Sequence, residues 1–253
     1  MKLKNKKLKS NALSTRLVTA FILSVMSTQL VYAQDCGQSA TFIHAIQGSG
    51  TSSPEDGNIH TIEGIIVGDF QTSSRLSGFF IQEEDGDVDG DAMTSEGIFV
   101  FDGPTPGVDV AAGDVVRVTG EVDEHSGLTQ LKNVSDVRIC QAGAVASAAT
   151  VTMPVSSLGD WEYTEGMLIN INQTLYATGN YNWGRYGEVE LSVNDRLYNP
   201  TNVAAPGAPA DVVNDLNDRS RIQLEDGRTA SNPDPVPYLG AGNTCGRETP
   251  CPV

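Results

Sequence analysis

Five short segments that alternate apolar and polar residues restrict the fold of this chain more than any other feature. They lie between about residues 60 and 140, and Gly, Asp and Pro turns separate them. The segments read HTIEGIIVGDF, GFFIQ, GIFVF, DVVRVTGEVDE and LTQLKNVSDVRI. A period of two predicts strands with one buried face, so we expect Val116 and Val118 to point inward and Arg117 to face solvent.

The chain is therefore predicted to be mainly β. Its strands do not alternate with helices, as they would in a parallel α/β sheet, and five strands in about 80 residues fit a small barrel or a sandwich. Gly64 and Gly68 fall inside the first segment, where glycine lets a strand coil sharply and serve both sides of a closed barrel. This favours a five-stranded OB-like barrel, with an immunoglobulin-type sandwich as the alternative.

The N-terminus has the pattern of a secretory signal peptide. Six basic residues up to Arg16 precede an apolar run from Leu17 to about Val25, and VYA follows at 31–33. The apolar run is too short for a comfortable membrane span. We therefore expect residues 1–33 to be removed and the mature protein to be secreted, extracellular or periplasmic, without a membrane anchor.

Composition divides the mature chain further. The Ala-rich stretch QAGAVASAAT at 141–150 is typical of a linker. It would separate an OB-like barrel domain at 34–140 from a second, small β-rich domain at 151–240, with an irregular tail at 241–253. Helical periodicity is weak and appears once, at 209–218.

The cysteines are distributed unevenly. Cys36 and Cys140 bracket the first domain, and in an oxidising compartment we expect them to form a disulfide, the alternative being two unrelated thiols. Cys245 and Cys251 lie close together in the tail, where they form a terminal disulfide or are accidental.

The charge balance limits the partners of this protein. The full chain has a net charge of −16, and removing residues 1–33 takes away six of its 16 basic residues and none of its 32 acidic ones, which leaves −22. Such a surface repels nucleic acid unless cations intervene, because phosphate contacts normally rely on Lys and Arg. Unaided DNA binding by the barrel is therefore not expected.

The stretch DGDVDGDAMTSE at 85–96 fits the spacing of an EF-hand calcium loop. The pattern places Asp85, Asp87 and Asp89 at positions 1, 3 and 5, and Glu96 at position 12, with Asp91 between them. Its neighbours are strands, however, so an EF-hand is excluded. Two readings remain: a weak Ca2+ site in a loop between the second and third strands, or an acidic turn without an ion.

A second candidate site is the segment YNWGRYGE in the second domain. It brings Tyr181, Trp183, Arg185 and Tyr186 within six positions, and Arg196 follows in the next strand candidate. Aromatic rings around arginine suit base stacking and phosphate contact. The same residues could instead pack against another domain, or be ordinary core aromatics of a hairpin.

Several longer strings carry a family resemblance. In the first domain they are GFFIQEEDGDVDGD, TSEGIFVFDG and VAAGDVVRVTGEVDEHSGLTQL; in the second, TEGMLIN, NYNWGRYGEVELS, RLYNPTNVAAPG and RIQLEDGRTASNPDPVPY. They resemble the N-terminal OB-like (YhcR-type) region of ExeM/NucH-type secreted bacterial nucleases. The resemblance covers about residues 36 to 244.

The resemblance implies a catalytic domain of the endonuclease/exonuclease/phosphatase type downstream, which cuts DNA with Mg2+ or a similar divalent metal. This chain has no GDFN-like or SDH motif, and its three histidines, His44, His60 and His125, are not expected to be catalytic. We therefore predict no catalytic residues in this chain. Whether it has enzymatic activity of its own is left open, with inactivity expected.

The last nine residues support this view. A coding sequence for LRSGDTVPG, which fits the continuation expected from the resemblance, can be read one base out of frame as CGRETPCPV, the residues at 245–253. The expectation is a frameshift after Thr244 that truncated a longer nuclease.

The predicted function is a non-catalytic accessory region that presents DNA and supports the missing domain. The alternative is a stand-alone, calcium-dependent binding module for extracellular DNA or another anionic polymer.

Overall fold

The computed structural model describes residues 35–234 and 236–238. The predicted signal peptide at 1–33 and the predicted tail at 241–253, with Cys245 and Cys251, lie outside the described residues. The described chain is mainly β, as predicted.

Five strands occupy the segments predicted from the alternating pattern. They are β1 Ile59–Phe70, β2 Gly78–Gln82, β3 Gly97–Phe101, β4 Val115–His125 and β5 Leu128–Gln141. β1 pairs antiparallel with both β2 and β4, and β4 pairs antiparallel with β5. β3 joins β2 antiparallel and β5 parallel, so the sheet closes on itself in the order β1-β2-β3-β5-β4.

A bulge lets β1 serve two neighbours. Its register against β2 shifts between Ile66 and Gly68, close to the place where it leaves β4. A bulge bends a strand and increases its twist, and this lets β1 turn from its pairing with β4 to its pairing with β2 so that the sheet can close into a barrel. The glycines of the first segment therefore stand where the predicted coiling occurs.

A short helix that the sequence pattern did not reveal closes one part of the core. Helix α1, Ile43–Gln47, buries Ile43 and Ile46 completely among the side chains of the barrel. The core cluster also includes Ile62, Phe79 and Leu131. Burying an aliphatic side chain of this size contributes about 1.5–3 kcal/mol, so α1 is part of the barrel core.

Arg117 is buried, contrary to the expectation that it faces solvent; only 2% of its side chain is exposed. The segment before α1 lies across β4 and covers it. The guanidinium donates to the carbonyl oxygens of Gln38 and Ser39 at 2.8 and 2.7 Å, and to Glu63 Oε2 at 2.8 Å. Strand alternation predicts the side of the sheet, but it does not show that another segment covers that side.

The same covering segment carries the predicted disulfide. Cys36 and Cys140 are bonded, with their Cα atoms 5.6 Å apart and 104 positions apart in sequence. Gly37 N–H, next to it, donates to the Glu63 carboxylate. The disulfide prediction is confirmed, and the covering segment is fixed at both of these points.

The remainder of the described chain, which we call the second region, contains a small sheet and several helices. The elements are β6 Ala149–Thr150, a 3₁₀ helix Leu158–Thr164, β7 Ile169–Asn170, β8 Leu175–Gly179, α2 Trp183–Tyr186, β9 Val189–Val193, α3 Pro200–Val203, α4 Ala208–Arg219 and β10 Arg221–Leu224. β8, β9 and β10 form an antiparallel sheet in the order β10-β9-β8. The weak helical pattern predicted at 209–218 corresponds to α4.

Close contacts join this region to the barrel. Gly97 and Gly166 approach so closely that a Cβ on either residue would overlap the backbone of the other segment. The Gln82 side chain accepts from Leu168 N–H at 3.0 Å and donates to the Ser147 carbonyl at 2.8 Å. The domain boundary predicted at 141–150 stays a prediction.

Candidate metal centre and aromatic cavity

The predicted calcium loop lies between β2 and β3, as expected. Asp85 accepts from Ser147 N–H at 2.9 Å and from Ser147 Oγ at 2.6 Å. These two hydrogen bonds, the side-chain one above all, hold the pKa of Asp85 below its usual range. Asp85 is therefore turned toward the stretch predicted as a linker.

The other carboxylates of this loop bond mainly to the loop itself. Asp89 Oδ1 accepts from Asp91 N–H at 2.7 Å, and Asp91 Oδ1 accepts from Met93 N–H at 3.0 Å. Thr94 Oγ1 donates to Asp89 Oδ2 at 3.0 Å. These bonds are those of a self-supporting turn, and calcium binding by this loop stays a prediction.

A different group of ligand atoms is drawn together in the described chain. One ligand atom each from His44, Glu83 and Glu96 lies within 4.8 Å of the others. His44 belongs to α1, Glu83 follows β2, and Glu96 precedes β3. Within residues 35–234 and 236–238, Glu96 is the one residue of the predicted calcium set in such a group, and Asp85, Asp87, Asp89 and Asp91 are not.

Each member of this group, which we call the His44 cluster, is oriented by a neighbour. His44 Nδ1 lies 3.0 Å from Glu96 Oε2, and the ring of Phe42 stacks on the imidazole at 5.2 Å. Glu96 Oε1 accepts from Asp89 N–H at 3.0 Å. Glu83 Oε1 accepts from Ile43 N–H at the start of α1.

Glu83 is the most unusual group in the cluster because its residue is only 2% exposed. Burial raises the pKa of its carboxyl to about 8, against the backbone hydrogen bond from Ile43, and the nearby charges of Glu96 and Asp87 raise it further. No cationic side chain pairs with Glu83 in the part of the chain that the structure describes. The group is thus poised to take up a proton or a metal ion.

An acidic cavity of about 490 Å3 adjoins Glu83. Three further carboxylates, those of Glu63, Glu84 and Asp87, line it together with residues 37–42, and no lysine or arginine is among the described residues of its lining. Carboxylates around a low-dielectric hollow raise the local concentration of cations. The cavity therefore gives a cation a favourable approach to the His44 cluster.

The predicted aromatic and arginine residues of the second region lie in and around another cavity. Trp183 and Arg196, 13 positions apart, line the same hollow of about 360 Å3 together with Tyr238. Trp183 Nε1 donates to the Pro237 carbonyl at 2.8 Å, which fixes its ring. The structure thus brings two of the predicted contact residues together.

The other predicted contact residues lie on the surface around α2. Tyr181 is 97% exposed, and the Arg185 guanidinium lies 5.1 Å from the centre of the Tyr186 ring. Three arginines, Arg75, Arg185 and Arg196, form no ion pair within the described residues. Two of these three belong to the predicted contact set.

The barrel has its own cavity, which is less suited to phosphate. It measures about 660 Å3 and is lined by the β4–β5 hairpin and the end of β3. Its cation, Lys132, is held by Asp123 at 2.7 Å and by Glu121 at 3.6 Å. Asp102, Asp123 and Glu124 also line it, so this surface would repel a polyanion.

Comparison with known proteins finds no matching family model, no matching curated protein and no matching solved structure. The likeness to ExeM/NucH-type nucleases therefore stays a prediction. Among the helices of the described residues, none has the length and apolar character that a membrane crossing requires.

Proposed function

We propose that this protein is a non-catalytic accessory region of a secreted, DNA-degrading nuclease. Its role is to present DNA and to support a metal-dependent phosphodiesterase domain of the endonuclease/exonuclease/phosphatase type, which would use Mg2+ or a similar ion. The resemblance of residues 36–244 to ExeM/NucH-type proteins motivates this proposal. The signal-peptide pattern at 1–33 supports a secreted location.

The barrel supports the finer, OB-like part of the proposal. An OB fold is a five-stranded Greek-key barrel, and the closed order β1-β2-β3-β5-β4 with its parallel β3–β5 contact fits that description. In this protein, however, acidic residues line the barrel cavity at the β4–β5 hairpin. We therefore assign the barrel a scaffolding role and the DNA contact to the second region.

The observation that carries the DNA contact is that two arginines with no ion pair among the described residues lie close to aromatic side chains. Arg196 shares a cavity with Trp183, and Arg185 lies over the ring of Tyr186. A base stacks on an aromatic ring while a guanidinium contacts the phosphate next to it. The strongly negative charge of the rest of the chain keeps such binding weak. Weak binding suits a region that presents DNA, because the DNA must be released to the phosphodiesterase domain.

The test is binding of a fluorescent single-stranded oligonucleotide to the mature protein at several salt concentrations. Replacing both Arg185 and Arg196 by alanine should weaken binding and reduce the slope of log K against log salt by about 1.4, that is about 0.7 for each lost phosphate contact. The control is Arg221→Ala, because Arg221 is already paired with Asp218 at 2.7 Å.

Three outcomes distinguish the alternatives. Equal loss in the double variant and in Arg221→Ala would refute the assigned contact. Binding that appears only with Ca2+ would favour the second candidate, a stand-alone calcium-dependent module for DNA or another anionic polymer, which the acidic loop motivates. Cleavage of DNA by the purified chain with Mg2+ and Ca2+ would overturn the non-catalytic assignment.

A further inference from the structure

We propose that the His44 cluster binds one divalent transition-metal ion of the Zn2+ class, held by His44, Glu83 and Glu96. This site is separate from the calcium ligands predicted in the acidic loop, with which it shares only Glu96. It also does not depend on the DNA contact proposed above, because no residue of that contact takes part in it.

The first argument is the arrangement of the donor atoms. Two ligands that are each about 2.0–2.1 Å from Zn2+ at a tetrahedral angle lie about 3.3 Å apart. His44 Nδ1 and Glu96 Oε2 are 3.0 Å apart, and all three ligand atoms of the cluster lie within 4.8 Å of each other. Small adjustments of these side chains would therefore complete three of four tetrahedral positions.

The second argument is the unused oxygen of Glu83. Its Oε1 accepts from Ile43 N–H, whereas Oε2 accepts no hydrogen bond from the described residues. The residue is only 2% exposed, and it forms no ion pair with a lysine or arginine of the described residues. A buried, ionised carboxylate is stable only when a partner compensates it, and a metal ion held jointly with Glu96 would do so.

The third argument is that the second oxygen of each carboxylate is already fixed. Backbone N–H groups of Ile43 and Asp89 hold one oxygen of Glu83 and one of Glu96. The stacked Phe42 ring orients the imidazole of His44. Such outer contacts fix the direction of metal ligands in known sites, so the cluster needs little rearrangement to accept an ion.

The donor set selects the class of ion. Ca2+ takes six to eight oxygen ligands, whereas this cluster offers one imidazole nitrogen and two carboxylates. Imidazole and carboxylate ligands suit Zn2+ and neighbouring divalent ions, and three protein ligands leave a position for water. The ion would join α1 to the end of β2 and the start of β3.

The experiment is an isothermal calorimetric titration of the EDTA-treated mature protein with Zn2+ and, in a parallel experiment, with Ca2+. Wild type should bind one Zn2+ more tightly than Ca2+. His44→Gln and Glu83→Gln should each weaken Zn2+ binding at least about tenfold, since each replaces an imidazole or carboxylate ligand by a neutral amide, which binds zinc less well. Far-UV circular dichroism of both variants confirms that they are folded, and Glu83→Gln keeps the shape of the buried side chain.

The chain offers a matched control in a second histidine–glutamate pair. His60 Nε2 lies 2.9 Å from Glu55 Oε2, but this pair has no further carboxylate close enough to complete a group in the described chain. His60→Gln should therefore leave Zn2+ binding unchanged. Cobalt absorption bands that appear in wild type and disappear in His44→Gln would support the site independently.

Two results would overturn the proposal. One is wild-type protein that takes up no Zn2+ in the calorimeter. The other is Zn2+ uptake that is unchanged in both His44→Gln and Glu83→Gln, or that is lost equally in His60→Gln. Ca2+ uptake that is abolished by Asp85→Asn and accompanied by no Zn2+ uptake would assign metal binding to the acidic loop instead.

Discussion

Removal of the Cys36–Cys140 disulfide should cost this protein a large part of its stability. The bond closes a loop with a sequence separation of 104. In the chain-entropy model, a loop of about that length restricts the unfolded chain by about 16 cal/mol/K, or about 4.7 kcal/mol at 25 °C. Small domains are stable by only about 5–15 kcal/mol in total.

The double variant Cys36→Ala and Cys140→Ala tests this, because Cys140 packs against apolar neighbours and alanine adds no polar group. The covering segment would still be held by Arg117. The folded state should therefore persist, and the loss should come chiefly from a freer unfolded chain. That mechanism also predicts a larger m-value, because the unlinked chain exposes more surface on unfolding.

Urea unfolding followed by circular dichroism measures both quantities. We expect a loss of about 4–5 kcal/mol in the extrapolated free energy of unfolding. The wild-type protein unfolded under reducing conditions should give a similar value, which serves as the control. A loss below about 1 kcal/mol, with an unchanged m-value, would contradict this prediction, because it would mean that the bond does not restrict the unfolded chain.

Two further predictions concern one buried and one half-buried charged residue. Arg117→Met should lower the free energy of unfolding by about 3–5 kcal/mol in urea titrations, because Glu63 and two carbonyls lose their buried donor. The control is Arg138→Met, which breaks an exposed pair with Asp35 and should lower that free energy by less than about 1 kcal/mol. Burial raises the pKa of Glu165, so its stabilising protonated form is present at low pH and is lost as pH rises through that pKa. Glu165→Gln should therefore raise Tm at about pH 8 and change it little at about pH 4; an equal effect at both pH values would contradict this.

The strands could be predicted from the sequence because the pattern that indicates a strand lies within each short segment. Alternation with a period of two, together with turn residues, is contained in each short segment, and the five predicted segments coincide with β1 to β5. The disulfide was also predictable, since Cys36 and Cys140 flank the barrel and the first 33 residues predict a secretory leader, which would place the chain in an oxidising compartment. The closed strand order depends on pairing between distant segments. The number of strands and the glycines of the first segment favoured a barrel, but no local pattern specified the order.

The parts that were missed depend on contacts between distant segments. Helix α1 has five residues, too few for a helical period to be recognisable, and it is stable because Ile43 and Ile46 enter the barrel core. The segment before α1 crosses the strand of Arg117, and its carbonyl oxygens accept hydrogen bonds from the buried guanidinium. No spacing in the sequence indicates either contact.

The His44 cluster was missed for the same reason. The EF-hand spacing drew attention to Asp85 and Glu96, whereas the structure joins Glu96 to His44 and Glu83, which are 52 and 13 positions away in the numbering. A local motif cannot contain such a set. The one available signal was that Glu83 directly follows an apolar strand, where an acidic side chain is easily drawn into the core.

The contact between Gly97 and Gly166 gives the molecule a mechanical connection. Two backbones that touch without side chains have no soft atoms between them to absorb a displacement. Glu96 immediately precedes this contact, and the Gln47 side chain of α1 donates to the Gly97 carbonyl at 2.6 Å. A shift of Glu96 or of α1 would therefore be transmitted through the contact between Gly97 and Gly166 to the segment that leads into β7.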